Sequence, residues 1–358
     1  MHPTGLELAR DYYADVVVGL LAARWPGLPH AAARLGSGSD VLGLDDHLSQ
    51  DHDFGLRLAL LVPADQVRAV DEHLERTLPE SYRGWPTRFA TTWDPSIRHR
   101  VEVATAEAFC ASRLGIPVDR DWDAVDWLSV TGQSVLEVTA GAVYVDSLGV
   151  LSNLRQRLEW YPTDVWRYVV AADWQRIGQE LPFLGRTGSR GDELGSASLT
   201  GRLVGIAMHL GFLLERRWPP YPKWLGTGFA SLPEARAAAP GLAAAQAAST
   251  WPERQAALVE ALVTLHEVQR GAGLPTGSEA VEPFFTRPFV GVRESVGRLL
   301  LAGVSDPLVR RLPAGVGSVE QWVDSVDVLA DPDRRVRVAQ LWRSLLATDD
   351  RPTEPPQR

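Results

Sequence analysis

The sequence has almost no lysine and almost no sulfur. Lys223 is the one lysine among 36 basic residues, and Cys110 is the one cysteine in 358 residues. A single cysteine excludes an internal disulfide and fits a reducing compartment. Its apolar neighbours predict a buried helix position with a structural role. A lysine that persists where arginine is otherwise used is of interest, because an ammonium is a compact point charge suited to phosphate.

The sequence also has no net positive charge, no pattern typical of a signal peptide and no long apolar run. The net charge is −9, so the chain has no general basic field that would attract nucleic acid. Residues 1–15 contain acids and no basic region before an apolar stretch, which argues against a secretory signal. No uncharged apolar run approaches the roughly 20 residues of a membrane span. We therefore expect a cytoplasmic protein that binds neither membranes nor bulk RNA.

Length and pattern together predict an α+β protein of two domains. Short strand-like runs alternate with helical patterns up to Gly115, as in a small mixed sheet with helices. From Gly149 onward the pattern is mostly helical. We place the boundary near residue 148, so the domains span 1–148 and 149–345. The tail 349–358 has three prolines and several charges, and we expect it to be disordered.

Glycine and proline punctuate the predicted elements. The apolar period over Gly5–Trp25 predicts a helix, and the run 53–62 predicts a buried strand. In the second half we predict helices over 162–181, 194–217 and 319–347, among others. The stretch 185–193 is predicted to be a polar, glycine-rich loop.

The most informative stretch lies between Leu35 and Leu60. A turn rich in glycine and serine lets backbone amides approach a phosphate closely. Two acids spaced i and i+2 on a strand point to the same side and can share hard cations such as Mg²⁺. Together these features indicate metal-assisted phosphoryl or nucleotidyl transfer. The residues are Gly36, Ser37, Gly38 and Ser39 for the turn and Asp51 and Asp53 for the acids.

This arrangement resembles the signature of the DNA polymerase beta-like nucleotidyltransferase superfamily. Five segments, GSGSDVLGLDD, SQDHDFG, EVTAGAVYVD, GRTGSRGDELGS and YPKWLGTGF, also resemble an uncharacterised nucleotidyltransferase-like family catalogued as a domain of unknown function. That likeness covers roughly residues 20–330. It implies a nucleotidyltransferase palm followed by a helical substrate domain, and it names no acceptor.

The resemblance implies a role for each residue of the signature. Gly36 and Ser37 would hold the nucleotide phosphates, and Asp51 and Asp53 would bind two Mg²⁺ ions. A third metal carboxylate usually follows on a neighbouring strand, and Glu102 is the best candidate. The expected substrate is a nucleoside triphosphate, with ATP favoured. The expected acceptor is a hydroxyl compound, with a small molecule favoured over a protein or an RNA end.

The helical half offers further candidates. Asp192 and Glu193 precede a long helix, so they are either helix-capping acids or, as the resemblance implies, a general base for the acceptor. Cationic and aromatic side chains suited to phosphates or a base are Arg190, Arg202, Lys223 and Tyr221. The pattern favours a core position for Trp224 somewhat over a base platform, and for His209 it favours a histidine of the core or one that supports a site from behind.

Two other classes of function remain open on the sequence. A non-catalytic nucleotide-binding protein, or a toxin–antitoxin-like partner, could retain the same palm. The intact acids and Gly-Ser turn count against that alternative. A metal-dependent phosphohydrolase would normally need a cluster of histidine and aspartate that the sequence does not display.

Overall fold

The structure is a computed structural model that describes residues 3–50 and 53–348. The chain divides into two compact units, formed by the described parts of Met1–Asp121 with Ser134–Glu159 and of Trp122–Gln133 with Trp160–Arg358. The first carries a small mixed sheet and the second is largely helical, so the predicted α+β class is confirmed. The predicted boundary near residue 148 lies within the first unit. The tail predicted to be disordered lies outside the described residues.

A five-stranded mixed sheet organises the first unit. Its order is β5-β6-β2-β1-β7, with β2 and β6 parallel and the other neighbours antiparallel. A separate two-stranded ribbon joins β3 to β4. The strands are β1 (Ala31–Arg34), β2 (Arg57–Leu61), β3 (Ser81–Tyr82), β4 (Trp85–Pro86), β5 (Arg88–Phe89), β6 (Arg98–Ala104) and β7 (Ala142–Asp146).

Within residues 3–50 and 53–159 the structure has seven α-helices, of which the fifth and the first two residues of the sixth belong to the second unit. They are α1 (Gly5–Tyr12), α2 (Val18–Arg24), α3 (Val67–Thr77), α4 (Ala106–Leu114), α5 (Ala124–Ser129), α6 (Gly132–Thr139) and α7 (Val150–Arg157). A π-helical turn joins α1 to α2, which confirms the predicted N-terminal helix. Thr4 caps α1 through a capping box with Glu7. Cys110 is fully buried in α4, and burial raises the pKa of its thiol to about 12, which fits a structural role.

Apolar side chains from three helices and the sheet form the core of the first unit. Leu8 and Leu21 of the N-terminal helices, Leu74 of α3 and Leu58 and Leu60 of β2 are all at most 2% exposed. Each such side chain contributes about 1.5–3 kcal/mol by leaving water. The core thereby fixes β1 and β2, whose ends carry the candidate site.

Long helices dominate the second unit. They are α8 (Thr163–Gly188), α9 (Glu193–Leu214), α10 (Pro222–Phe229), α11 (Ala239–Ala247), α12 (Trp251–Gly271), α13 (Glu294–Ala302), α14 (Pro307–Arg311), α15 (Val319–Trp322), α16 (Val326–Leu329) and α17 (Pro332–Thr348). A hairpin of β8 (Val281–Pro283) and β9 (Val290–Val292) lies between α12 and α13. Helices α8 and α9 pack together, and the indole of Trp166 donates a 2.7 Å hydrogen bond to the carbonyl of Leu213.

The predictions were wrong at two places in this unit. Helix α8 continues through Pro182 to Gly188, whereas the sequence predicted an end at Leu181 and a loop from 185. Pro182 removes one backbone hydrogen bond, but it and its neighbours are buried, and tertiary packing outweighs the local penalty. The segment predicted as one helix over 319–347 is three helices, because Val323 and Ser325 adopt extended backbone.

Helix α9 is, among the described residues, the one helix with the length and apolarity of a membrane span. More than half of its most apolar stretch is buried inside the protein, at 56%. A buried helix of a water-soluble domain meets the same criterion, so one such helix is weak evidence for a membrane.

Two glycines of α9 test its packing. A Cβ at Gly211 would lie 2.5 Å from the Phe229 ring and 3.1 Å from the Ala235 side chain, both buried. We expect Gly211→Ala to lower the free energy of unfolding by about 1–3 kcal/mol through overpacking. Gly205→Ala meets nothing within 4 Å and should raise it by about 0.5–1 kcal/mol, since alanine favours the helix. Urea unfolding measures both, and equal effects would contradict the packing.

Candidate functional site

The Gly-Ser turn follows β1 directly and depends on glycine geometry. Gly36 and Gly38 have φ angles of 83° and 136°, in the region of backbone conformation that residues with a Cβ rarely adopt. A Cβ at Gly38 would lie 2.2 Å from Oδ1 of Asp40 and 2.6 Å from Nη2 of Arg34. The turn therefore closes tightly over an ion pair.

That ion pair is buried and bidentate. Arg34 Nε and Nη2 donate to the two carboxylate oxygens of Asp40 at 2.7 and 2.8 Å. The same guanidinium donates to the backbone carbonyls of Leu35 at 2.5 Å and Ser37 at 2.9 Å. Arg34 is 2% exposed and Asp40 is 6% exposed. A fork with several satisfied donors fixes the path of the chain through residues 35–40.

A second arginine, which the sequence analysis did not select, reaches the turn. Arg57 Nη2 lies 3.2 Å from Oγ of Ser37, and Nη1 lies 3.3 Å from the carbonyl oxygen of Asp53. Its guanidinium lies over the Trp93 ring, 4.7 Å from the centroid. Burial, assisted by the charge of Arg34, lowers the pKa of Arg57 to about 9. The sequence signal was one cation inside the apolar run 56–62.

Asp53 does not lie on a strand, so the predicted strand from residue 53 is wrong. Strand β2 begins at Arg57, and Asp53 has a positive φ of 59°. Its carboxylate accepts hydrogen bonds from the backbone amide of Thr92 at 2.7 Å and from its hydroxyl at 2.5 Å. These bonds to the β5–β6 loop hold Asp53 in a turn. The other acid of the pair, Asp51, lies outside the described residues.

Glu102 lies on β6, the parallel neighbour of β2, in register with Ala59. Glu102 therefore lies on the strand next to the one that follows Asp53. Its carboxylate pairs with Arg113 of α4 at 2.6 Å, and Arg113 also lies 3.6 Å from Glu137 of α6. Glu102 is therefore an acid whose charge is already balanced by an adjacent guanidinium.

The donor chemistry of these acids fits a hard cation, since Mg²⁺ prefers carboxylate oxygens. Their geometry alone does not complete a metal site, because Thr92 holds Asp53 and Arg113 holds Glu102. Within residues 3–50 and 53–348, no three His, Cys, Asp or Glu side chains form a group that could hold a metal ion. A cation here would need Asp51 as well as an exchange of partners by the other two acids.

In the second unit, the two candidate general bases are engaged in helix and ion-pair contacts. Asp192 is the N-cap of α9, and its side chain accepts a 2.7 Å hydrogen bond from the amide of Gly195. Glu193 pairs with Arg254 of α12, which is 5% exposed. The geometry of Asp192 is that of a capping acid, one of the two roles that the sequence left open.

The four candidate phosphate and base contacts of this unit are spread over three segments. Arg202 of α9 donates to Glu180 of α8 at 2.9 Å, and Arg190 is exposed just after α8. Lys223 is exposed in the first turn of α10, 5.1 Å from the Trp224 ring centroid. The amide of Tyr221 donates to Gln133 at 3.3 Å. Trp224 is half-buried, between the two roles considered for it.

The second unit also contains a buried charge network that sequence reasoning missed. His209 Nδ1 of α9 lies 2.6 Å from Oδ2 of Asp173 on α8, and Asp173 is 0% exposed. Arg176 donates to the other oxygen of Asp173 at 2.9 Å. Glu320 of α15 lies 3.7 Å from His209 Nε2 and accepts from the amide of Gly132 at 3.0 Å. The available signal was one ionisable residue within the apolar face of each helix.

Both members of the central pair are charged. Burial alone would favour neutral imidazole, but the charge of Asp173 and its hydrogen bond, with help from Glu320, raise the pKa of His209 to about 10. Burial would likewise raise the pKa of Asp173, yet His209 and Arg176 hold it below its usual value. The network joins α8, α9, α15 and the start of α6. His209 is thus a half-buried histidine whose partners are side chains of the second unit.

Comparison with known proteins supports, over part of the chain, the resemblance to a family of unknown function. A family model described as "Domain of unknown function (DUF4037)" matches residues 127–225. The match contains three of the five segments that carry the resemblance in whole or in part. The Gly-Ser turn and the acids near residue 50 lie outside it, so the reading of that site depends on its own residues. No curated protein matches the sequence.

A solved structure gives a weaker likeness. The crystal structure of a nucleotidyltransferase-like protein from Exiguobacterium sibiricum 255-15 aligns over 74% of this chain and 78% of its own. The identity is 13% and the TM-score is 0.32. A TM-score of this size supports no inference about a shared activity.

The Asp173–His209 pair makes stability depend on pH. The pKa of His209 is about 10 in the folded protein, against an ordinary value of 6.5 that applies to the unfolded chain. The pair therefore stabilises the fold fully below pH 6.5, and this stabilisation is lost as the pH rises toward 10. We expect the free energy of unfolding to fall over this interval, by up to about 1.4 kcal/mol per pH unit for one proton. His209→Gln should lack this slope in urea unfolding at about pH 7, 8 and 9.

A matched control lies in the same unit. Burial, with the charge of Arg270, keeps the pKa of the buried His266 below 6.5, so its imidazole is neutral throughout this interval. His266→Gln should retain the wild-type slope. An unchanged slope in His209→Gln would show that the network does not bind the proton.

Proposed function

We propose that this protein is a metal-dependent nucleotidyltransferase. It would transfer a nucleoside monophosphate, with AMP from ATP favoured, to a hydroxyl acceptor that is more readily a small molecule than a protein or an RNA. The supporting observation is that the glycine turn, an acid and two arginines come together where β1 ends and β2 begins. A glycine turn built on Arg34 and Asp40 lies beside Asp53 and within reach of Arg57. This chemistry needs two kinds of group: hydrogen-bond donors that hold a phosphate chain, and carboxylates that can ligate a metal ion.

The reaction divides into defined steps. The acceptor oxygen attacks the α-phosphorus in line, the bond from that phosphorus to the β-bridging oxygen breaks, and pyrophosphate leaves. Gly36 and Ser37, with Gly38 and Ser39, hold the β- and γ-phosphates and so orient the leaving group. Asp51, Asp53 and Glu102 are the proposed ligands of two Mg²⁺ ions. The ions, when bound, would supply charge stabilisation of the transferred phosphoryl group.

The acceptor hydroxyl must also lose its proton. Asp192 and Glu193 are the proposed acceptors of that proton in the helical unit. Glu193 would have to leave Arg254, and Asp192 would have to leave the amide of Gly195, before either takes up the proton. Arg190, Arg202, Tyr221 and Lys223 are the proposed nucleotide contacts from the same unit.

A second function is favoured by one observation. Asp53 is held by Thr92 and Glu102 by Arg113, so neither acid is arranged as a metal ligand. A nucleotide-binding protein without turnover would have this geometry. Binding measurements alone cannot separate the two proposals, and product formation can.

Substitution of the acids tests the proposal directly. Purified protein is incubated with each α-labelled nucleoside triphosphate, Mg²⁺ and a deproteinised cell extract. We expect label to appear in an acceptor, and Asp51→Asn and Asp53→Asn to reduce transfer by about 1,000-fold or more, because metal ligands act on the transition state. Asp65→Asn, at an exposed acid after β2, is the matched control.

The outcome distinguishes the two functions. Transfer that persists in the Asp51→Asn and Asp53→Asn variants would exclude the proposed metal role. Tight binding of a nucleotide with no labelled product from any extract would favour the non-catalytic protein. The labelled species identifies the acceptor class.

A further inference from the structure

Three arginines surround the Gly-Ser turn, and two of them have a carboxylate partner. Arg34 pairs with Asp40 at 2.7 Å, and Arg113 pairs with Glu102 at 2.6 Å. Arg57 differs, because no carboxylate of the described residues lies within ion-pair distance of its guanidinium. Its polar contacts within the described part of the chain are the neutral hydroxyl of Ser37 and the carbonyl oxygen of Asp53. A partly buried cation with only neutral acceptors is incompletely compensated.

The hydrogen bonds of Arg57 are long enough to be replaced by bonds to a ligand. Its two hydrogen bonds, at 3.2 and 3.3 Å, are longer than the usual 2.7–2.9 Å of a charged pair. The Trp93 ring lies close to the guanidinium at a cation–π distance. The residues Ser37, Gly38 and Ser39 are only partly buried, so a ligand can reach the polar edge.

We propose that Arg57 binds the phosphate chain of a nucleoside triphosphate at the turn. Its guanidinium would exchange the oxygen of Ser37 for two phosphate oxygens, and Ser37 would then donate its hydroxyl to the same chain. A planar fork matches phosphate bidentately, and a tetrahedral anion fits a glycine turn that admits backbone amides. Arg34 cannot serve, because Asp40 and two backbone carbonyls occupy its donors.

This inference rests on the proposed function only for the identity of the ligand, since binding requires no transfer. Inorganic triphosphate is therefore the probe, titrated by calorimetry into the full chain with and without Mg²⁺. We expect Arg57→Gln to weaken binding by about tenfold or more, because a charge-assisted pair is lost. Arg57→Lys, which keeps the charge without the fork, should lie between.

The matched control removes an equal charge elsewhere. Arg68 of α3 is exposed and pairs with Glu72 four residues on. Arg68→Gln should bind triphosphate as the wild type does. Equal weakening in Arg68→Gln and Arg57→Gln would reduce the effect to net charge and overturn the proposal, as would wild-type affinity in a folded Arg57→Gln protein.

Wild-type protein provides a test that does not depend on folding of the variants. An arginine-specific reagent such as phenylglyoxal is applied with and without triphosphate, and the modified residues are mapped by mass spectrometry. We expect triphosphate to suppress modification of Arg57 and to leave that of Arg68 unchanged. Equal modification of Arg57 in both samples overturns the inference. Protection of Arg57 without any nucleotidyl transfer would sustain it while the proposed function fails.

Discussion

The buried pair of Arg34 and Asp40 is the interaction on which the candidate site depends. Two opposite charges removed from water are stabilising only when every donor and acceptor is satisfied. Here the guanidinium meets this demand with two carboxylate oxygens and the carbonyls of Leu35 and Ser37. The turn is therefore the shape that the pair requires. The constraint extends to α1, because a Cβ at Gly5 would lie 2.3 Å from Oδ2 of Asp40.

The balance of charge separates the two charged clusters of this protein. In the Asp173–His209 network the charges are balanced, since the aspartate has two cationic partners and the imidazolium has a carboxylate near each nitrogen, although Nε2 makes no hydrogen bond. Such a network stabilises helix packing and offers a ligand no free charge. In the cluster at the Gly-Ser turn, none of the carboxylates within residues 3–50 and 53–348 pairs with Arg57. A cation without such a partner favours an anion from outside those residues.

The sequence predicted features that depend on neighbouring residues and missed those set by distant ones. The helix from Gly5, the alternation of short strands and helices up to Gly115 and the glycine turn follow from local period and conformational preference. The turn at Asp53 depends on Thr92, which lies 39 residues away, and the Asp173–His209 pair spans 36 residues. No local pattern contains such contacts. Arg57 was overlooked because an isolated cation in a strand gives no motif, although its position in an apolar run is unusual.

The occupied state of Asp53 and Glu102 bears on how a metal and a nucleotide would bind. A cation must displace the amide and hydroxyl of Thr92 from Asp53 and the guanidinium of Arg113 from Glu102. Only protein molecules that have made this exchange can bind the cation. The apparent affinity for the cation is therefore the intrinsic affinity multiplied by the fraction of such molecules. A phosphate chain that draws Arg113 away from Glu102 would shift the second of these exchanges. Binding of the two ligands would then be mutually reinforcing, because a coupling free energy acts equally on both. Such coupling is inherent in a site where the Arg113 guanidinium neutralises Glu102 until an anion competes for that guanidinium.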